Sequence, residues 1–206
     1  MSGPSQYALP LELHGRGGPR RIAIGGGNAE VAAALDAAGS WPFGTAILFG
    51  PARSGKSLLA QWFVEAGHGD AVDDADALDE TRLFHRWNRA REQSRPLLLT
   101  ASARPWNIAL PDLRSRLEAA LELEIGPPDD DLAAEVIEIH AAQRGLALGA
   151  EAPRYLVPRM TRSWAGIERL VAEIDRISLE RKGPPGLAVW RAALEAVEGP
   201  EAPRLL

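Results

Sequence analysis

Eight consecutive residues match the phosphate-binding pattern G-x-x-x-x-G-K-S. They are Gly50-Pro51-Ala52-Arg53-Ser54-Gly55-Lys56-Ser57. Glycines let a loop turn its N–H groups toward a phosphate, and the positive end of a following helix adds to the attraction. In such a loop we expect Lys56 to bridge the β- and γ-phosphates and Ser57 to ligate Mg²⁺. The pattern predicts a nucleotide site; the alternatives are a chance glycine-rich turn and a site kept only to hold the fold together.

Polar residues that end two later apolar segments are candidates for the same site. Asp73 and Asp74 follow a short apolar segment, and carboxylates at a strand end can hold Mg²⁺ or orient an attacking water. The alternative for this pair is an acidic turn. Thr100 ends the apolar run 97–99 and is either a sensor of the γ-phosphate or an ordinary hydrogen-bonding residue at a strand end.

Arg114 and Arg116 lie two positions apart in a predicted helix, so they project in different directions. One of them could pair within the chain while the other faces a neighbouring protein. An arginine delivered across an interface stabilises the charge that develops on a transferred phosphate. The alternative is a pair of ordinary exposed arginines, which would contribute little to folding.

The segment Gln6-Tyr7-Ala8-Leu9-Pro10-Leu11 is an apolar cluster within an otherwise polar stretch, 1–21. Apolar residues on a flexible tail are typical of a docking peptide. The alternative is a disordered tail without a function.

Strand and helix patterns alternate up to Gly126, which favours a parallel sheet. Four segments are predicted strands: 46–49, 70–74, 96–100 and 121–125. Four are predicted helices, the first capped by Asn28: 28–38, 58–67, 81–95 and 110–121. Beyond Gly126-Pro127-Pro128 the pattern is helical only, at 129–144, 151–160, 163–182 and 187–197. We therefore predict a flexible tail (1–21), an α/β core (22–126), a small all-α lid (127–199) and a disordered tail (200–206).

The composition narrows the function classes. The chain has 206 residues, no cysteine, four scattered histidines and a net charge of −5. We expect neither disulfides nor a metal other than nucleotide-bound Mg²⁺. We also expect no membrane span or signal peptide, hence a cytoplasmic location. The acidity argues against a stand-alone DNA-binding module, which normally carries a basic stripe.

Taken together, these motifs resemble the AAA+ family of DnaA-type replication initiators and, more narrowly, the Hda-type regulators of DnaA in their alphaproteobacterial form. The resemblance rests on Gly50–Ser57, the acidic stretch Val72–Asp76, the strand ending at Thr100 and the L-P-D-L-x-S-R-L signature at Leu110–Leu117. It implies a P-loop AAA+ core that binds ADP or ATP with Mg²⁺ through the loop, Asp73 and Thr100. It also implies that Arg116 is an arginine finger.

The tail adds a second part to the resemblance, because Gln6–Leu11 is similar to the Q-x-x-L-P-L peptide that binds the replication sliding clamp. Gln6, Leu9, Pro10 and Leu11 would make that contact. The implied partners are DnaA and the clamp, with no sequence-specific DNA contact, no membrane and a possible homo-oligomer. The implied function is to stimulate ATP hydrolysis on DnaA and so prevent over-initiation.

Three departures from the family pattern limit what it implies. The chain is expected to lack the helix-turn-helix domain of the initiators. The stretch before Asp73 is short, which predicts a smaller sheet. Ala165 stands where the family has its second-sensor arginine, so we expect weak or no ATPase activity of the chain's own. An independent AAA+ ATPase and a nucleotide-independent clamp-binding scaffold remain the alternatives.

Overall fold

The computed structural model describes residues 12–15, 18–102 and 104–199. The chain divides into two compact units, residues 1–126 and 127–206. Each unit is described by itself below.

The first unit contains a four-stranded parallel sheet with the strand order β4-β5-β3-β6. Its strands are β3 (Thr45–Phe49), β4 (Asp70–Val72), β5 (Leu97–Ala101) and β6 (Leu121–Glu124). Its helices are α1 (Ala29–Asp36), α2 (Lys56–Glu65), α3 (Glu80–Glu92) and α4 (Pro111–Leu117). The alternation of strand and helix confirms the predicted α/β class, and the four strands agree with the smaller sheet expected from the short stretch before Asp73.

Both central strands are apolar except for one threonine each, Thr45 in β3 and Thr100 in β5, and every residue of the two strands is buried. Because side chains alternate between the two faces of a strand, Ile47 and Phe49 share one face while Leu48 lies on the other. The face of Ile47 and Phe49 is covered by α3 and α4, which contribute Leu83 and Leu113 to one apolar cluster. The helix α2 packs against β4 and β5. The sheet is thus buried on both faces, as parallel sheets usually are.

A short antiparallel hairpin precedes this core, where composition predicts a flexible tail. It consists of β1 (Glu12–Gly15) and β2 (Gly18–Arg21), with Glu12 paired to Arg21 and Gly15 to Gly18. The tail prediction is therefore wrong for these strands. The two strands pair through hydrogen bonds between backbone groups, and a polar, glycine-rich composition does not indicate such pairing.

The second unit is helical throughout its described part, which confirms the predicted all-α lid. Its helices are α5 (Asp130–Gln143), α6 (Glu151–Leu156), α7 (Trp164–Arg181) and α8 (Leu187–Glu198). The side chains of Asp129 and Ser163 accept hydrogen bonds from backbone N–H groups at the starts of α5 and α7. On α7, Arg176 donates to Glu173 and Glu180; the bond to Glu173 lowers the pKa of that carboxyl.

No helix in the described part of the chain is both long enough and apolar enough to cross a bilayer.

Candidate functional site

The phosphate loop follows β3 directly, and two of its glycines are required by their surroundings. A Cβ on Gly50 would lie 2.9 Å from Ser54 Oγ and 3.1 Å from Ile125 Cβ, so a side chain does not fit there. Gly55, which precedes α2, has φ +90°, and Arg53 has φ +68°. These positive φ angles turn the backbone as a phosphate-cradling loop requires.

Lys56 is the first residue of α2 and is only 7% exposed. Its Nζ donates to the carbonyl oxygens of Gly50, at 2.7 Å, and Pro51, at 3.1 Å. The ammonium group is therefore held against the loop itself. Ser54 is 3% exposed, and its buried Oγ has no hydrogen-bond partner within the described residues. A buried hydroxyl without a partner and a cation fixed on the same loop are the features expected of an anion site.

The acidic pair and the threonine are brought together at the carboxyl ends of β4 and β5. Thr100 is fully buried, and its Oγ1 donates to Asp73 Oδ1 at 2.6 Å while accepting from the backbone N–H of Asp74 at 2.9 Å. Asp74 itself has φ +47°. A hydroxyl has one proton to donate, and this one is committed to Asp73. Thr100 therefore positions the acidic pair, and donating directly to a phosphate would require breaking this bond.

The donor set fits Mg²⁺ bound together with a nucleotide. Ser57 is exposed on the first turn of α2, and Asp73 is exposed beyond β4. Hydroxyl and carboxylate oxygens are hard ligands of the kind that Mg²⁺ prefers, and Mg²⁺ usually takes few protein ligands alongside phosphate oxygens. No cluster of three metal-ligating side chains occurs among residues 21–102 and 104–199, so phosphates would have to supply the remaining ligands.

Sequence inspection missed the contribution of the glycine turn before α1. Asn28 occupies the predicted N-cap position of α1, although its side chain makes no capping hydrogen bond to the helix. Instead Asn28 Oδ1 accepts from Gly25 N, and Nδ2 donates to Ala23 O, both at 2.9 Å. Gly27 O accepts from Gly126 N at 2.9 Å, which ties this turn to the residue after Ile125 and so to the neighbourhood of Gly50. The three consecutive glycines Gly25-Gly26-Gly27 are the sequence signal that could have indicated this turn.

Arg116 differs from the exposed arginine that the sequence suggested. It is half-buried, its guanidinium lies 4.5 Å from the ring centroids of both Phe84 and Trp87, and Nη1 donates to Asn88 Oδ1. All three partners lie on α3. The side chain is thus held by two cation–π contacts and by a hydrogen bond, which fixes its direction.

Arg114 has a different environment, as its position two residues earlier implies. Its Nε donates to Ile108 O at 2.8 Å, and Nη2 donates to the same oxygen. It also lines a cavity of about 580 Å³ between α4 and the sheet, which Phe49 and Trp106 share and which no phosphate-loop residue lines. The structure therefore separates the two arginines into distinct settings.

The candidate clamp-binding residues Gln6, Leu9, Pro10 and Leu11 lie outside the described residues.

Residues 129–183 match the family model described as "Hda, lid domain". Domain III of the Thermotoga maritima replication initiation protein DnaA aligns over 87% of this chain and 95% of its own length, with 14% identity and a TM-score of 0.69. The AMPPCP-bound DnaA from Aquifex aeolicus aligns over 78% of this chain and 66% of its own, with 19% identity and a TM-score of 0.56. The Thermotoga maritima RuvB Holliday junction branch migration motor aligns over 86% of this chain and 72% of its own length, with 18% identity and a TM-score of 0.58.

The structural likenesses confirm the P-loop AAA+ fold, and the match over α5 to α7 identifies the kind of lid that the second unit forms. The first unit thus carries a phosphate loop on this fold, and residues 129–183 of the second unit are similar to the lid domain of Hda proteins.

Proposed function

We propose that this protein regulates replication initiation by binding an adenine nucleotide, docking on the DNA-loaded sliding clamp and stimulating ATP hydrolysis on DnaA. The observation that carries the proposal is that the first unit holds both an intact phosphate loop and an arginine fixed on aromatic rings, in a chain whose residues 129–183 match an Hda lid domain. The loop would hold the chain's own nucleotide, whereas the arginine would act on the nucleotide of the partner.

Nucleotide binding is supported by the loop residues Gly50–Ser57. A nucleotide phosphate would lie against the loop N–H groups, with Lys56 neutralising its charge and Ser57 ligating Mg²⁺. Asp73, held by Thr100, would hold the Mg²⁺ water shell, and Asp74 lies next to it. An aligned initiator binds AMPPCP, which favours an adenine nucleotide.

The proposed action of Arg116 follows from how its side chain is held. A finger arginine must reach a phosphate of the partner at low entropic cost, and stacking on Phe84 and Trp87 removes much of its rotational freedom in advance. Arginine fingers in GTPase systems raise the hydrolysis rate by about 10³–10⁵-fold. Arg116 would supply the same stabilisation to ATP on DnaA, leaving DnaA in its ADP form.

Docking on the clamp is assigned to Gln6, Leu9, Pro10 and Leu11. The two leucines would fill an apolar groove, and Gln6 would hydrogen-bond at its edge. This contact would localise the regulator at replicating DNA.

Reconstitution with DnaA, clamp and DNA tests the proposal. We expect this protein to accelerate ATP hydrolysis on DnaA only when the clamp is loaded on DNA, and to show little steady-state turnover alone. Rapid turnover by the isolated protein would instead favour an independent AAA+ ATPase. Stimulation unaffected by removing nucleotide from this chain would favour a nucleotide-independent clamp-binding scaffold.

A further inference from the structure

The helix α3 carries three arginines on a face that takes no part in the site described above. Arg82, Arg86 and Arg89 are exposed, and within the described residues none of them makes an ion pair or a side-chain hydrogen bond. At 1.5 Å per residue they span about 10.5 Å along the helix. We call this set the α3 stripe.

The α3 stripe lies away from the residues that hold Arg116. At about 100° per residue, positions 82, 86 and 89 fall within about 60° of one another. Phe84 and Asn88 fall on the other side of the helix, next to Trp87. The stripe is therefore not part of the arginine-finger support, and a partner that covers Arg116 would not have to cover the stripe.

The surroundings of the stripe indicate what kind of partner fits it. Its neighbours along the same side of α3 are polar and exposed, and none of the exposed large apolar side chains in the described residues lies on this helix. A protein interface usually has an apolar or aromatic centre. Contacts to a nucleic-acid backbone need no such centre, because they consist of cation–phosphate interactions and hydrogen bonds.

We infer that the α3 stripe binds the phosphate backbone of duplex DNA without reading its sequence. Guanidinium groups match phosphate geometry, and a 10.5 Å row faces about six charges at one per 1.7 Å of duplex axis. The net charge of −5 opposes binding to DNA overall, so we expect this binding to be weak. The inference goes beyond the proposed function and does not need it.

Fluorescence anisotropy with a labelled duplex of arbitrary sequence tests the inference on the full chain. The titration is done with saturating Mg-ADP, so that the phosphate loop cannot bind the duplex. At about 50 mM salt we expect a Kd on the order of 10⁻⁵–10⁻⁴ M. Three phosphate contacts give a slope of log K against log salt of about −2.7, so raising salt to about 200 mM should weaken binding by about 40-fold.

The test variant replaces Arg82, Arg86 and Arg89 with Gln. It should bind the duplex at least about tenfold more weakly and lose most of the salt dependence. The matched control replaces Arg181, Lys182 and Arg191, three exposed cations of the second unit, with Gln and should bind like wild type. Circular dichroism checks that both variants are folded.

Three outcomes would overturn the inference. Wild type that does not bind the duplex at low salt has no such surface. Equal losses in the stripe and control variants would show a dependence on net charge rather than on the stripe. A stripe variant with unchanged duplex affinity but a weakened complex with DnaA would assign the stripe to an acidic protein surface. Stimulated hydrolysis is measured separately, so failure of this inference leaves the proposed function intact.

Discussion

Replacing Arg116 with Ala should destabilise the first unit as well as remove the proposed arginine finger. The guanidinium lies 4.5 Å from two ring centroids and donates to Asn88 Oδ1. Each cation–π contact contributes about 0.5–1 kcal/mol at an exposed site and more when desolvated. The hydrogen bond from a charged donor adds to this, although Asn88 can be hydrated after the change. We expect a loss of about 2 kcal/mol, well above the ±0.5 kcal/mol typical of surface substitutions.

Thermal unfolding measures this effect. For a chain of this length, 1 kcal/mol corresponds to about 2–4 °C, so Arg116→Ala should lower Tm by about 4–8 °C. Arg116→Lys keeps the charge but not the planar guanidinium group, so its Tm should lie between the Tm of the wild type and that of Arg116→Ala. Arg114→Ala is the matched control, because among the described residues the exposed Arg114 side chain hydrogen-bonds only to the carbonyl of Ile108. Its Tm should fall less than that of Arg116→Ala.

The functional part of this prediction is measured at a temperature where every variant is folded. Arg116→Ala should retain binding of ADP and of the clamp but lose stimulation of ATP hydrolysis on DnaA. An unchanged Tm would show that the stacking on Phe84 and Trp87 does not hold Arg116 in solution. Undiminished stimulation would refute the finger role, and release of the chain's own nucleotide would make Arg116 an internal ligand.

Three further changes test other parts of the site. Lys56→Ala should abolish nucleotide binding measured by calorimetry, because it removes the cation held on the loop; ADP affinity equal to that of wild type would contradict this. Thr100→Val should lower stability by about 2 kcal/mol, since it removes one hydrogen bond to a carboxylate and one from a backbone N–H, and should weaken Mg²⁺-dependent nucleotide binding. An unchanged Mg²⁺ dependence would show that Thr100 does not position Asp73 for the metal. Leu9→Ala combined with Leu11→Ala should leave Tm unchanged and abolish capture by purified clamp; retained capture would rule out the docking role.

The sheet could be predicted from sequence because its strands are short and are separated by helical patterns, and because its two central strands are largely apolar. The strand predicted at 46–49 is observed as β3 (Thr45–Phe49). The strand predicted at 96–100 is observed as β5 (Leu97–Ala101). Errors occur where local signals compete. The predicted helix 110–121 ends at Leu117, because the chain must turn before β6, where Ala120 N donates to Leu117 O.

The phosphate loop was predictable because its chemistry is local: eight adjacent residues contain the glycines, the lysine and the serine. The partners of Arg116 were not predictable, because Asn88 is 28 residues away and only the packing of α3 against α4 brings them together. The bond between Thr100 and Asp73 is equally nonlocal, since it depends on β4 and β5 being neighbours in the sheet.

The short connection between α2 and β4 explains how this nonlocal arrangement is held. Only four residues separate Glu65 from Asp70, and a Cβ on Gly69 would lie 2.3 Å from the carbonyl oxygen of Pro96. Glycine therefore lets β4 start directly beside β5, with Asp70 N donating to Pro96 O at 2.9 Å.

This close start fixes the register between β4 and β5, and the register in turn sets which residues meet at the other end of the strands. Val72 pairs with Leu99, so Asp73 and Thr100 follow side by side. A strand of three residues at the sheet edge also offers little backbone for unwanted pairing with another chain. The contact between Gly69 and Pro96 thus sets the geometry of the acidic pair by aligning the two strands, although the stretch before Asp73 is short.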